Sequence, residues 1–267
     1  MDDMDKNKNK PEKTTGIVQD QRRLTDDVYS LTLECPPVAA NCVPGQFVSL
    51  FCKDKSRLLP RPISICDRNA GQGTIRLVYR VAGAGTEEFS KLVGGDVVEL
   101  MGPLGNGYPV DQILKAQGAV RLMGGGIGIP PMLLLARELG RPVEVVLGYR
   151  DVLFLKEDFE KIPCVSLFVA TEDGSFGTKG TVMDAQPADR PDVICACGPT
   201  PMLRAIRAFA LENDICAYLS LEQRMACGVG ACLACVCEST ETDAHSRVNN
   251  MRICAEGPVF EADRIVL

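Results

Sequence analysis

The sequence predicts a β plus α/β chain: an N-terminal antiparallel β-barrel, a parallel-sheet α/β domain, and a small C-terminal module built on cysteines. Three observations carry this. From Gly16 to about Gly105, short Val- and Thr-rich runs alternate with period two, each bounded by Gly or Pro. After Gln117 the texture changes to apolar runs alternating with helical stretches, the pattern of a parallel sheet covered on both faces. Towards the end, Cys227, Cys232 and Cys235 cluster, with Cys254 further on.

The chain has 267 residues, 46% hydrophobic and 24% charged, with a net charge of −6. That length accommodates two domains and an appendage. The acidic balance, with no Lys/Arg cluster to offset it, argues against nucleic acid as a partner. Of the 13 cysteines, Cys35, Cys52, Cys66, Cys164, Cys195 and Cys216 lie in apolar, strand-like contexts. A free thiol there acts as a small hydrophobe, which suits a reducing cytoplasm. Residues up to about Thr14 have no apolar stretch and read as a solvated tail, not a secretory signal. The longest apolar run, Ile127 to Ala136, is too short for a membrane span and contains two prolines. The expected organisation is a tail over 1–14, the barrel over 15–110, the α/β domain over 111–215 and the cysteine module over 216–267.

In the barrel the clearest strands are Val28–Glu34, Gln46–Cys52 and Thr74–Val81, close enough together for a small antiparallel barrel. A helix from Thr86 to Leu92 is expected to cap one end. Three stretches carry more than folding information. Arg61-Pro62-Ile63-Ser64 sets a cation and a hydroxyl on one strand, suited to phosphate oxygens and a ring nitrogen. Val78-Tyr79-Arg80 adds an aromatic face and a second cation. Gly85-Thr86 opens the helix, where bare amides attract a pyrophosphate. Each alone reads as a strand edge or a turn with an N-cap. Together and in this order, with Gly102-Pro-Leu-Gly-Asn-Gly107 closing the segment, they resemble the flavin domain of the ferredoxin reductase superfamily, which implies bound FAD.

In the α/β segment, strands are expected at Gly118–Met123, Pro142–Gly148, Val165–Ala170 and Pro191–Cys197, with a helix from Met132 to Leu139. Gly124, Gly125, Gly126 and Gly128 form the first strand-to-helix turn, where a doubly wound sheet approaches phosphate. This is not the Gly-x-Gly-x-x-Gly fingerprint, although the mechanics are shared. Cys197-Gly198-Pro199 ends the fourth strand and opens a helix running to about Leu211. Two such loops facing one crevice make a site for a nicotinamide dinucleotide, NAD(H). Gly148-Tyr149-Arg150 is placed at the adenosine half. Arg150 also suits a 2′-phosphate, so NAD and NADP both stay open.

The run Cys227-Gly-Val-Gly-Ala-Cys232-Leu-Ala-Cys235, with Cys254 as the fourth thiol, has the plant-type spacing for a [2Fe–2S] cluster. Gly228 and Gly230 free the loop to turn its amides towards sulfur. Disulfides suit small secreted chains, and a zinc ribbon needs a second Cys-x-x-Cys pair that is missing here. Cys237 is left out of the ligand set, on the expectation that it points away from Cys235.

Nicotinamide exchanges electron pairs, an iron–sulfur cluster single electrons, and flavin either. The three stations in one chain define a converter between them. The single histidine, His245, lies in a polar loop and is read as solvated. Adding Cys254-Ala-Glu-Gly-Pro-Val-Phe260 to the motifs above, the chain resembles the electron-transfer subunit of B-type, NAD-dependent dihydroorotate dehydrogenase. The resemblance implies a place in pyrimidine synthesis and a partner catalytic subunit holding FMN, in a heterotetramer of two plus two. It also implies FAD at residues 61–64, 78–80 and 85–86, and the cluster at the four cysteines. The long polar loop over 238–252 departs from the pattern. The alternatives are the reductase subunit of another redox complex (a hydrogenase, a sulfite reductase, a ferredoxin:NAD oxidoreductase) or a redox sensor.

Overall fold

The computed structural model describes residues 11–242 and 247–267; His245 lies outside them. Six strands close the barrel: β1 (Glu12–Arg23), β2 (Val28–Glu34), β3 (Phe47–Leu50), β4 (Arg61–Asn69), β5 (Thr74–Arg80) and β6 (Val97–Leu104), in the order β1-β2-β5-β4-β3-β6. Alternation sends Leu31, Leu33, Val48, Leu50, Ile65, Leu77 and Leu100 into a common core. Short helices α1 (Pro36–Asn41) and α2 (Ala84–Phe89) cover the barrel, and Phe89 of α2 is buried in its core.

The expected tail is shorter than its sequence suggests. β1 already begins at Glu12, pairing Glu12, Lys13 and Thr14 with Gly102, Met101 and Leu100. Glu12 and Lys13 are exposed and Thr14 half-buried at the start of the strand, and Lys13, on the outer face, pairs with Glu99 at 3.4 Å and sits over the Phe51 ring. Without them the Leu100–Gly102 end of β6 would lose its β1 partner and become an open edge.

A seven-stranded sheet follows in the order β10-β9-β8-β7-β11-β12-β15. Its strands are β7 (Val120–Gly125), β8 (Val143–Tyr149), β9 (Val165–Thr171), β10 (Thr178–Lys179), β11 (Val193–Cys197), β12 (Cys216–Ser220) and β15 (Val259–Glu261). All pairs are parallel except β12 with β15. A two-stranded ribbon, β13 (Val236–Glu238) with β14 (Asn250–Arg252), lies outside the sheet. The helices are α3 (Val110–Ile113), α4 (Pro130–Leu139), α5 (Lys156–Glu160), α6 (Val182–Ala185) and α7 (Thr200–Glu212). Arg121 of β7 is fully buried, with its guanidinium on Glu144, Gln186 and the Asp189 carbonyl at 2.9, 3.0 and 2.7 Å.

Two sets of contacts join the parts. α4 packs along β4, putting Leu134 in the barrel core, and ion pairs Arg68–Glu138 and Arg76–Asp158 close at 2.8 and 2.9 Å. The loop after β6 meets the C-terminal module. There Asn106 takes the Gly257 carbonyl with its amide N–H and the Ala255 and Glu256 carbonyls with its side chain. Because β15 is a strand of the main sheet, the cysteine module is anchored at both ends rather than tethered. Among the described residues, no helix is long and apolar enough to cross a membrane.

Candidate functional site

β12 ends at Ser220, and residues 221–235 run as a loop without strand or helix. Gly228, Gly230 and Leu233 have φ of 72°, 80° and 57°, a left-handed geometry that glycine adopts at no steric cost. These turns aim amides inward. Val229 and Ala231 N–H point at Cys227 Sγ from 3.5 and 3.3 Å, and Gly230 N–H points at Cys254 Sγ from 3.1 Å.

The four thiols gather as two neighbouring pairs, Cys227 with Cys232 and Cys235 with Cys254, close enough that the members of each pair perturb one another. Burial acts to raise the Cys227 thiol, but the Val229 and Ala231 amides and Cys232 outweigh it and bring it down to about 6. Burial and the Cys235 thiol push Cys254 up to about 12. Among the described residues, no group of three or more His, Cys, Asp or Glu side chains is arranged around a single ion. Two pairs of thiols under inward amides fit a two-iron cluster, which needs two thiolates for each iron.

Cys237 needs a corrected reason for its exclusion. Residues i and i+2 of an extended segment share a face, so direction alone does not separate it from Cys235. Cys237 instead lies inside β13, opposite Met251, and packs against the hydrophobic core around Ile253. Burial raises its thiol to about 11.

The thiol loop leans on the barrel. A Cβ on Gly228 would lie 3.2 Å from Ser49 Oγ, and Ser49 of β3 is paired with Pro62 of β4. Arg61 and Ser64 are half-buried on this strand, while Ile63 points into the barrel core. The Arg61 guanidinium packs on Gly85, so closely that a Cβ there would lie 2.4 Å from Nε. Thr86 Oγ1 accepts the Ala82 and Gly83 N–H groups at 2.9 and 3.3 Å and donates to the Gly83 carbonyl at 3.0 Å, which locks the turn.

The stretch 78–80 divides by alternation. Tyr79 turns into the barrel, stacked on Tyr29, edge-on to Phe89 and hydrogen-bonded to Gln21 at 3.2 Å. Its ring is core and presents no aromatic face to a ligand outside, contrary to the expectation. Val78 packs against the α/β domain, and Arg80 is exposed, pairing with Asp27 at 3.0 Å.

At the end of β7, Gly124 and Gly125 lead into a 3-10 turn over Gly126–Gly128, and Pro130 opens α4. A Cβ on Gly128 would lie 2.4 Å from the Cys197 carbonyl carbon, and one on Gly125 would lie 2.4 Å from Met202 Sδ. The glycine turn and the loop Cys197-Gly198-Pro199 therefore touch, as expected of two loops serving one crevice. Burial raises the Cys197 thiol to about 12.

A crevice of about 1110 Å³ opens beside them, with Gly125, Gly126 and Pro199 on one wall and Arg80 on another. Tyr149 and Arg150 line it, although the Tyr149 hydroxyl is tied to the Phe154 carbonyl at 2.8 Å. Sequence reasoning missed several of its other walls, among them the β1–β2 turn over Leu24–Asp27, Glu172 after β9 and residues 180–183. The turn carries no motif, but a carboxylate at a strand end is a signal that could have marked Glu172.

A closed barrel, a parallel sheet with its crevice at the strand ends, and a thiol loop together define an oxidoreductase of the ferredoxin reductase class. Residues 15–108 match the oxidoreductase FAD-binding domain family, and residues 222–266 the iron–sulfur cluster binding domain of dihydroorotate dehydrogenase B. The NADH-dependent reduced ferredoxin-NADP oxidoreductase is similar in structure, at TM-score 0.82 and 28% identity over 94% of this chain and 89% of that one. The ferredoxin reductase of carbazole 1,9a-dioxygenase shares the fold, at TM-score 0.63 and 21% identity over 77% and 67%. Electron-transfer subunits of dihydroorotate dehydrogenase B (NAD(+)) are similar throughout. The Listeria monocytogenes serotype 4a protein is 43% identical over 92% of this chain and 96% of its own length. The Bacillus mycoides protein is 39% identical over 96% and 99%. This chain belongs to the family of dihydroorotate dehydrogenase B electron-transfer subunits.

Proposed function

We propose that this chain carries electrons between a dihydroorotate-oxidising catalytic subunit and NAD⁺, through a [2Fe–2S] cluster and FAD. The observation that carries the reading is the placing of the parts. The thiol loop rests on β3, whose neighbour β4 bears Arg61 and Ser64, while the dinucleotide crevice opens beside Arg80 of β5. Bound there, FAD would supply the exchange of single electrons with a cluster and of a hydride with nicotinamide.

The chain's own residues bind and orient. Cys227, Cys232, Cys235 and Cys254 hold the cluster, with the Val229, Gly230 and Ala231 amides on the sulfurs. Arg61 would take flavin phosphate against the turn of Gly85 and Thr86, Pro62 and Ser64 would line the ring, and Ile63, whose side chain is in the barrel core, would contribute through its backbone. Val78, Tyr79 and Arg80 contribute through the backbone of β5, since the Tyr79 ring is buried. Gly124, Gly125, Gly126 and Gly128 with Cys197, Gly198 and Pro199 admit the dinucleotide. Asp151 and Glu172 line the crevice along with Arg150, and carboxylates there suit a ribose diol and disfavour a 2′-phosphate, which favours NAD as the co-substrate. No proton-transfer residue is required of this chain. The functional units are the barrel, which β1 opens at Glu12 and which runs to 110, the α/β domain over 111–215 and the cysteine module over 216–267. The setting is pyrimidine biosynthesis in the cytoplasm, in a heterotetramer with two FMN-containing catalytic subunits.

The test is anaerobic reconstitution with the catalytic subunit. Dihydroorotate-driven reduction of NAD⁺ should require both chains. A mixture in which this chain has no effect, while it readily reduces a hydrogenase, a sulfite reductase or a ferredoxin, would overturn the reading.

A further inference from the structure

Arg252 ends β14, two residues before Cys254, and its guanidinium reaches across to the other limb of the thiol loop. Nη1 donates to the Gly230 carbonyl at 3.3 Å. The same peptide group carries the Ala231 N–H, which points at Cys227 Sγ from 3.3 Å. The preceding peptide carries the Gly230 N–H, which points at Cys254 Sγ from 3.1 Å. The guanidinium is therefore one peptide group away from a sulfur. Guanidinium, carbonyl, N–H and sulfur run head to tail, so each bond polarises the next.

The other edge of the fork is held by Glu256. Nε donates to both carboxylate oxygens, at 2.8 and 3.0 Å, and Nη2 engages Oε1. The Arg252 backbone N–H also donates to Oε2. The pair is partly shielded, with side chains 41% and 36% exposed. A planar guanidinium can hold the carboxylate and the Gly230 carbonyl together, whereas an ammonium offers only a point charge.

We propose that Arg252 and Glu256 are positioning residues that set the reduction potential of the cluster: Arg252 holds the Gly230–Ala231 peptide on the Cys227 sulfur and raises the potential, and Glu256 offsets part of that rise. This rests on the cluster assignment above. Reduction adds negative charge to the thiolate-bound cluster. A nearby cation and N–H bonds to sulfur stabilise that charge, and a nearby anion opposes it.

The experiment is a redox titration of the purified holoprotein followed by EPR, on wild type, Arg252→Gln, Arg252→Lys and Glu256→Gln, with iron measured on each. Arg252→Gln should lower the reduced-to-oxidised ratio at the wild-type midpoint about tenfold, or about 59 mV for a one-electron couple. Arg252→Lys should fall between the two, and Glu256→Gln should shift the opposite way, all with wild-type iron content. A purely structural clamp would move both substitutions in one direction. Shifts of the same sign, or none, overturn the proposal. Should Arg252→Gln fail to assemble a cluster, the opposite signs of Arg252→Lys and Glu256→Gln decide by the same rule. A wild type with no [2Fe–2S] signal would overturn the cluster assignment itself, and this proposal with it.

Discussion

Gly128→Ala tests whether the two loops at the sheet's edge serve one dinucleotide. The added Cβ would lie 2.4 Å from both the carbon and the oxygen of the Cys197 carbonyl and 2.5 Å from Gly198 N. All three atoms are backbone, so no side chain can swing aside. Ordinary contact begins at 3.4 Å, and the loops must part by about 1 Å. Overpacking of this kind costs ~1–3 kcal/mol of stability. A displacement of about 1 Å in a positioning element costs ~100-fold in rate. The assay is steady-state NADH oxidation with ferricyanide, alongside flavin content, iron content and Tm. We expect kcat/KM to fall ~100-fold with FAD and iron retained, since both are held elsewhere. Gly140→Ala, at the end of α4 and outside the crevice, is the control. A Cβ there meets nothing within 4 Å, and its φ of +57° leaves only backbone strain, ~1–2 kcal/mol. Wild-type kcat/KM and Tm in Gly128→Ala would refute the reasoning.

Cys232→Ser should disturb or empty the cluster, because oxygen replaces thiolate poorly at iron. NADH-to-dye transfer through FAD should survive while exchange with the catalytic subunit fails, and loss of both together would show that the stations are not separate. Arg121→Met should cost ~3–5 kcal/mol in denaturant unfolding, because it leaves Glu144 without its buried partner; a loss below ~1 kcal/mol would mean the pair contributes little. In metal-free protein Cys227, near 6, is mostly thiolate at pH 7, while Cys237, near 11, is not. Iodoacetamide mass mapping at pH 7 should therefore label Cys227 well over 100-fold faster, in proportion to thiolate. Because the Cys227 value is lowered, its labelling should hold above pH 6 and decline as pH falls through 6; equal labelling of the two would contradict the amide contacts.

What was legible in the sequence had a local cause. The strand Val28–Glu34 and the β7-to-α4 turn follow from period and glycine placement alone. The cysteine spacing marked the thiol loop because four, two and a distant fourth are dictated by the loop's own geometry. Facing was harder to read. Tyr79 looked available until pairing with β2 and β4 decided which side of β5 is core. The start of β1 was obscured because Glu12, Lys13 and Thr14 are polar and gain their structure from β6, ninety residues away in sequence. The Leu24–Asp27 wall and the reach of Arg252 to Gly230 are likewise products of tertiary closure, which no local pattern encodes.

The central claim is that FAD stands between nicotinamide and the cluster. The direct measurement is anaerobic mixing of NADH with cluster-loaded protein, once with FAD and once after FAD has been stripped, following the cluster by EPR. Cluster reduction is expected only when FAD is present, and is restored when FAD is added back. Cluster reduction by NADH at full rate in the FAD-free protein would contradict it.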